Sequence, residues 1–208
     1  MKNIIFLSLL SILSLTAFSQ EEKKEMKTLF KNSNGGKIEH GFYGGFHLGY
    51  SYINSENAII GGIRGAWIID HHLAIGLRGQ GFSNSINKYE DKENGSLSGG
   101  YGGFFIAPII APNSPIHVSF PIFFGFGGAS LKTDSFWSVN EYEFDSYVVF
   151  EPGIDVDLNI VKILRISFGA SYRLTNGVVF ENIRTKDAPP KNAIDGVNFL
   201  VSFKFGKF

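Results

Sequence analysis

The stretch that most restricts the fold is residues 147–172, YVVFEPGIDVDLNIVKILRISFGASY. Val148, Phe150, Pro152, Ile154, Val156 and Leu158 share one parity, while Glu151, Asp155, Asp157 and Asn159 share the other. After a short break, Leu164, Ile166, Phe168, Ala170 and Tyr172 alternate with Arg165, Ser167, Gly169 and Ser171. Side chains of a strand alternate between its two faces, so this stretch predicts a hairpin with one apolar and one polar wall. Carboxylates interleaved with aliphatics make a poor soluble sandwich core. They suit a wall with lipid on one side and a polar lumen on the other.

The same alternation recurs along the chain. Phe42, Phe46, Leu48, Tyr50 and Tyr52 alternate with Tyr43, Gly45, His47, Gly49 and Ser51. Further on, Ile59, Ile63, Trp67 and Ile69 oppose Arg64, and Leu73, Ile75 and Leu77 oppose Arg78 and Gln80. Around Tyr101 both faces are apolar, with Tyr101, Phe105 and Ile109 on one and Phe104, Ile106 and Ile110 on the other. Residues 116–127 predict a fifth strand, the opening hairpin supplies the sixth and seventh, and Phe199, Val201, Phe203 and Phe205 opposing Ser202 and Lys204 give the eighth. Each is long enough for the roughly 9–11 residues of a tilted membrane strand.

The connections alternate too. Short turns are expected at Asp70-His71, at residues 111–114 and at residues 159–162, and long polar loops at 84–96, 130–146 and 175–195. Short turns on one side and long loops on the other mark an outer-membrane barrel, with both termini in the periplasm. The fold class expected is therefore all-β, an eight-stranded antiparallel transmembrane β-barrel. Tyr50, Tyr52, Tyr101, Tyr147 and Tyr172 are expected at the outer rim, and Phe42, Trp67, Phe203 and Phe205 at the periplasmic one.

Lys2, the apolar run from Ile4 to Leu13, and the small residues Ala17 and Ser19 predict a cleaved secretory signal over residues 1–19. Residues 20–40 then form a polar lead-in and residues 41–208 the barrel. The formal charge is +0, so no global field favours nucleic acid. With Cys 0, disulfides and thiolate metal sites are excluded.

These features resemble the small eight-stranded outer-membrane barrels of Gram-negative bacteria, in particular the porin-like barrels of the Bacteroidetes. The marks are GGYGGFF at residues 99–105, Phe150-Glu151-Pro152-Gly153, Ser171-Tyr172-Arg173 and the ending Phe203-Lys204-Phe205-Gly206-Lys207-Phe208. The resemblance implies outer-membrane lipid and lipopolysaccharide as surroundings. It also implies recognition of Phe208 by the barrel-assembly machinery, although Phe208 has the opposite parity to the apolar face of its strand. It implies no single activity.

Parity places Arg64, Arg78, Glu151, Asp155, Asp157, Arg165, Arg173 and Lys204 in the lumen. A barrel of this size has an interior that side chains fill, so these form a plug of paired charges, with Arg64 opposite Glu151. A narrow channel for ions or small solutes is the alternative. Pro152-Gly153 predicts a β-bulge, because proline cannot donate to a ladder, and Pro108 and Pro121 pose the same problem. His117-Val118-Ser119 resembles the His-x-Ser pair of lipid A deacylases, but lies at the periplasmic end facing inward, away from the outer leaflet. His71-His72 reads as a solvated turn rather than a metal site. No phosphate-loop pattern is present and no cofactor is expected. The expectation is a non-enzymatic barrel. A possible extracellular ligand would meet the loop aromatics Phe136, Trp137, Tyr142 and Phe144, on a hairpin that protrudes above the membrane.

Overall fold

The computed structural model describes residues 38–53, 56–86, 94–134, 141–177 and 192–208. The expected signal segment and most of the lead-in lie outside the described residues. The described chain is strand after strand: β1 (His40–Ile53), β2 (Glu56–Ile69), β3 (Leu73–Ile86), β4 (Asn94–Ile110), β5 (Ile116–Ser119), β6 (Ile122–Asp134), β7 (Glu141–Val161), β8 (Leu164–Thr175) and β9 (Gly196–Lys207). Neighbours are antiparallel, and pairing of β1 with β9 closes the ring. β5 and β6 run end to end between β4 and β7, so the nine strands make eight staves.

Closure fixes the stagger. From Ser51 the pairs run through Ala58, Asn84, Leu97 and Leu131 to Glu143 in one direction, and through Asn198 and Ser171 to Gly153 in the other. Both paths end on β7, ten residues apart. A stagger of this kind is what tilts barrel strands by roughly 35–45° to the axis.

The two faces are chemically distinct. Phe42, Leu48, Ile59, Ile63, Leu77, Phe104, Phe126, Ile154 and Phe199 point outward and are exposed. Phe46 and Phe203 stack at 5.1 Å, and Phe46 and Phe205 at 6.4 Å, forming an aromatic ladder across β1 and β9 near the short-turn end. Arg64, Arg78, Arg165, Arg173, Glu151, Asp155, Asp157 and Lys204 are all buried inside.

The structure corrects three local expectations. First, the fifth predicted strand is interrupted at Phe120-Pro121. Second, Pro152 makes no bulge. β7 keeps one register with β8 on both sides of it (Phe150↔Leu174, Gly153↔Ser171), and the ladder merely skips Glu151 and Pro152. The bulge falls between Asn159 and Val161, beside a turn tighter than expected. The backbone adapts by half-pairing: Gly153 N donates to Pro121 O at 2.8 Å and Phe120 N to Pro108 O at 3.0 Å, while each proline forfeits the return bond. Third, Tyr101 and Tyr147 are not rim residues. Both are buried inside, whereas Tyr50, Tyr52 and Tyr172 are exposed on the outer wall.

The loops are also more regular than expected. β3 and β4 pair up to Ile86↔Gly95, and β6 and β7 up to Thr133↔Glu141. The three-residue β2–β3 connection, Asp70 to His72, holds Asp70 and His71 in the left-handed region at φ 50 and 57, and His72 N donates to Ile69 O at 3.1 Å.

Candidate functional site: the charged lumen

Strand alternation delivers all eight predicted lumen charges to the interior, and five cations, Arg64, Arg78, Arg165, Arg173 and Lys204, meet three carboxylates there. They sort into two tiers. In the tier nearer the long loops, Arg78 Nη2 lies 2.9 Å from Glu151 Oε2, but off a hydrogen-bonding direction. The aligned donors to Glu151 are Tyr101 Oη and Ser171 Oγ, each at 2.6 Å. Gln80 Nε2 reaches the same carboxylate at 3.4 Å and also donates to Tyr101 Oη. Gln80 Oε1 accepts from His47 Nε2 at 2.9 Å.

In the tier nearer the short turns, Arg64 Nη1 donates to Asp155 Oδ2 at 3.0 Å. Lys204 Nζ bridges Asp155 at 3.4 Å and Asp157 at 2.7 Å. Asp157 also accepts from Ser119 Oγ at 2.7 Å and from Ser167 Oγ. The expected pairing of Arg64 with Glu151 is therefore incorrect: Arg64 serves Asp155, and Arg78 serves Glu151.

The cation surplus is met by rings and neutral oxygens. The Arg165 guanidinium lies 4.1 Å over the Phe208 ring, and its Nε donates to Asn159 Oδ1 at 2.8 Å. Arg173 is fully buried, 5.2 Å from the Phe82 ring centre. It donates to Ile194 O at 2.7 Å, Ser51 Oγ at 3.1 Å and Tyr101 Oη at 3.3 Å. Cations over rings are stabilised further when water is excluded. This supporting set (Tyr101, Gln80, Ser171, Ser119, Ser167 and Phe208) was missed from sequence, although parity already placed most of it inside.

Apolar layers bound the charges at both ends. Toward the loops, Ile53, Phe82, Leu97 and Val149 pack with Ile194, which is 0% exposed. The turn carrying Ile194 is pinned where Asp195 Oδ1 accepts from Thr175 N at 2.8 Å and Oγ1 at 2.7 Å. Toward the short turns, Tyr43, Ile68, Phe105 and Ile109 are buried and Phe208 stacks on Tyr43 at 5.9 Å. Between them, the space lined by Arg64, Asp155, Asp157, Arg165 and Lys204 is only about 10 Å³. That admits about one water.

Room for the long side chains comes from missing ones. Gly103 lies across from Arg78 on one side and from Gly125 on the other. A Cβ at Gly103 would stand 2.2 Å from Phe124 O and 2.5 Å from Gly125 Cα. Gly103→Ala is expected to lower stability by about 1–3 kcal/mol, as overpacking does. A fall in the urea midpoint for unfolding from lipid vesicles checks it.

His117 and Ser119 are buried on β5 but do not form a nucleophile–base pair. Ser119 Oγ donates to Asp157, and His117 Nδ1 contacts Ser114 O at 3.3 Å. In the β2–β3 turn, His71 Nε2 meets Glu39 Oε2 at 3.0 Å at the surface. Of the loop aromatics, Phe136 and Trp137 lie outside the described residues. Tyr142 lies on β7 with its side chain undescribed, and Phe144 is 74% exposed.

No family model and no curated protein sequence matches this chain. Solved structures do. Neisserial surface protein A is 10% identical, with 83% of this chain and 100% of that one aligned at a TM-score of 0.55. The attachment invasion locus protein Ail of Yersinia pestis is 12% identical over 83% of this chain and 99% of that one, at 0.47. A major outer membrane protein from Thermus thermophilus is 9% identical over 81% and 99%, at 0.49. At such low identity the likeness to Neisserial surface protein A concerns the fold alone, and with the closed ring described above it makes this chain an eight-stranded antiparallel β-barrel.

Proposed function

We propose that this chain is an integral outer-membrane barrel with a sealed lumen, acting as a structural and surface-presenting protein rather than as a conduit. The observation that carries this reading is the interior: two tiers of paired charge between two apolar layers, with about 10 Å³ left open among the turn-side charges. The apolar outer wall supports the membrane address. Exposed groups such as Ile59 (75%), Ile63 (70%) and Leu77 (68%) would form a large apolar patch in water, which soluble monomers avoid. The secretory signal read from sequence and the barrel architecture support an address in the envelope of a Gram-negative cell, and the local marks around Tyr101 and Pro152 favour the porin-like barrels of the Bacteroidetes. A non-enzymatic role is supported by the engagement of Ser119 with Asp157, which leaves His117 without a nucleophile to activate.

Single-channel recording on the purified barrel in a planar bilayer tests this reading. The expected trace is flat. Steady conductance steps would overturn the sealed lumen in favour of a narrow channel.

A further inference from the structure

Two arginines stand side by side on the inner wall. Arg64 on β2 and Arg78 on β3 are direct cross-strand partners, in a row flanked by Gly45 and Gly103. Both are buried, at 5% exposure. Direct partners start with their Cβ atoms about 5 Å apart, and like charges set directly opposite destabilise a sheet. Their tips diverge. Arg64 Nη1 donates to Asp155 at 3.0 Å, and Arg78 Nη2 lies 2.9 Å from Glu151. Those carboxylates are four residues apart on β7, roughly 13 Å at ~3.3 Å per residue. The Arg78 guanidinium is held in place by the Phe123 ring, 4.3 Å away.

Each carboxylate therefore meets the tip of one arginine, and the stems lie at the base of the fork. Among the described residues, the buried side-chain polar atoms without a hydrogen-bond partner are Arg64 Nε, Arg78 Nε and Nη2, His47 Nδ1 and His117 Nε2. All but the last belong to this one region. His47 stands on β1 opposite Gly62, and its ring crosses that glycine to reach Gln80 of β3 at 2.9 Å. Gln80 donates its amide hydrogens to Tyr101 and Glu151, so its oxygen accepts from His47 Nε2, which carries the ring proton. In the neutral ring Nδ1 is then a lone pair. The open donors are the three arginine nitrogens.

Buried donors are nearly always satisfied, and those on charged groups are the costliest to leave unmade. The charge balance indicates what satisfies these. Among the described residues the lumen holds five cations against three carboxylates. A water between the stems would accept from the donors and leave the repulsion in place. An anion would accept from the same donors and turn one repulsion into two attractions. Arg165 and Arg173 do not compete for it, since each already lies over a ring and donates to neutral oxygens.

We propose that the lumen binds one small inorganic monovalent anion of the halide class between the stems of Arg64 and Arg78. A halide is spherical, accepts hydrogen bonds from any direction and is little larger than a water. A phosphate or an organic acid is too bulky for an interior packed this closely. The ion ties β2 to β3 where the two tiers of charge meet. The proposal goes beyond the sealed-lumen reading, because a bound ion holds the wall together whether or not the lumen conducts.

The test refolds the full barrel into lipid vesicles in sodium chloride, or in sodium gluconate of equal ionic strength. The urea midpoint is expected to be higher in chloride. Once chloride exceeds its dissociation constant, each further tenfold rise should raise the folding constant up to tenfold, because only the closed ring holds the ion. Arg64→Lys and Arg78→Lys keep a positive charge but remove the Nε donors. Each is expected to retain heat-modifiable gel mobility and to lose the chloride dependence. Arg165→Lys, whose Nε is committed to Asn159, should keep it. Crystals of wild-type barrel refolded in bromide should show an anomalous scattering peak in contact with both Nε atoms. Two wild-type results would overturn the proposal even if the variants fail to fold. One is equal urea midpoints in chloride and gluconate. The other is ordered solvent between the stems without a bromide signal, which would make water the occupant. Full chloride dependence in a folded Arg78→Lys barrel would overturn it too. A conductance trace of either kind leaves these outcomes unchanged, so the sealed lumen and the anion site are decided separately.

Discussion

Glu151→Ala is expected to destabilise the barrel by about 3–5 kcal/mol, the cost of leaving a buried cation without its counter-charge. The loss should sit at the high end. Arg78 keeps its charge at 4% side-chain exposure, and the hydroxyls of Tyr101 and Ser171 lose their acceptor together. In a double-mutant cycle with Arg78→Ala the combined loss should fall well short of the sum, because the second change removes the stranded cation. Arg64→Ala serves as the control. Its guanidinium is committed to Asp155, so its loss should add to that of Glu151→Ala far more nearly than the loss at Arg78 does. Replacing Glu151 and Arg78 together by leucine should cost less than Glu151→Ala alone, because no cation is stranded, yet stay short of neutral, because the hydroxyls of Tyr101 and Ser171 still lack their acceptor. Urea unfolding from lipid vesicles, read by tryptophan fluorescence, measures each single and double variant. Additivity for Glu151 with Arg78 and coupling with Arg64 would reverse the assignment of the two tiers.

The alternation around Glu151 was legible in the sequence because a barrel wall faces two different solvents, and the period of two survives every tertiary detail. Parity alone put Arg64, Arg78, Asp155 and Lys204 inside. What parity does not carry is height. The ten-residue stagger slides each stave along its neighbour, so the carboxylate that meets Arg64 lies four residues along β7 from the one expected. No local pattern encodes that offset, because it is a property of closure. Tyr101 and Tyr147 fail for another reason. Tyr147 shares the parity of Glu151, and Tyr101 that of Phe105, so the signal for the interior was present, but a phenol suits a membrane rim as well as a buried carboxylate. Pro152 shows the opposite error, a local rule applied too strictly. One missing donor need not shift a register when the next residue, Gly153, still bonds to Pro121.

Asp157 is where the charged tier also holds a strand in place. β5 is a four-residue strand, isolated by the turn at Ala111 to Pro115 on one side and Phe120-Pro121 on the other. It pairs with β4 only at Ile109↔Ser119 and Ile110↔Val118, and with β7 over four positions, including His117↔Asp157. The Asp157 carboxylate ties Ser119 of β5, Ser167 of β8 and Lys204 of β9 to one point. Asp157→Ala should therefore cost about 3–5 kcal/mol globally, as Lys204 loses its shorter carboxylate partner and keeps Asp155 at 3.4 Å. The local effect should be larger in kind. Short strands with few partners open before the rest of a fold, so amide exchange at His117, Val118 and Ser119 should accelerate well beyond that at Phe124 to Ala129 on β6. Ser119→Ala, which removes one hydrogen bond and leaves the ion pair, should cost about 1 kcal/mol and affect mainly the same three amides. Uniform acceleration across β5 and β6 in Asp157→Ala would mean that the broken stave opens as a single strand, and that the interruption at Pro121 carries no mechanical consequence.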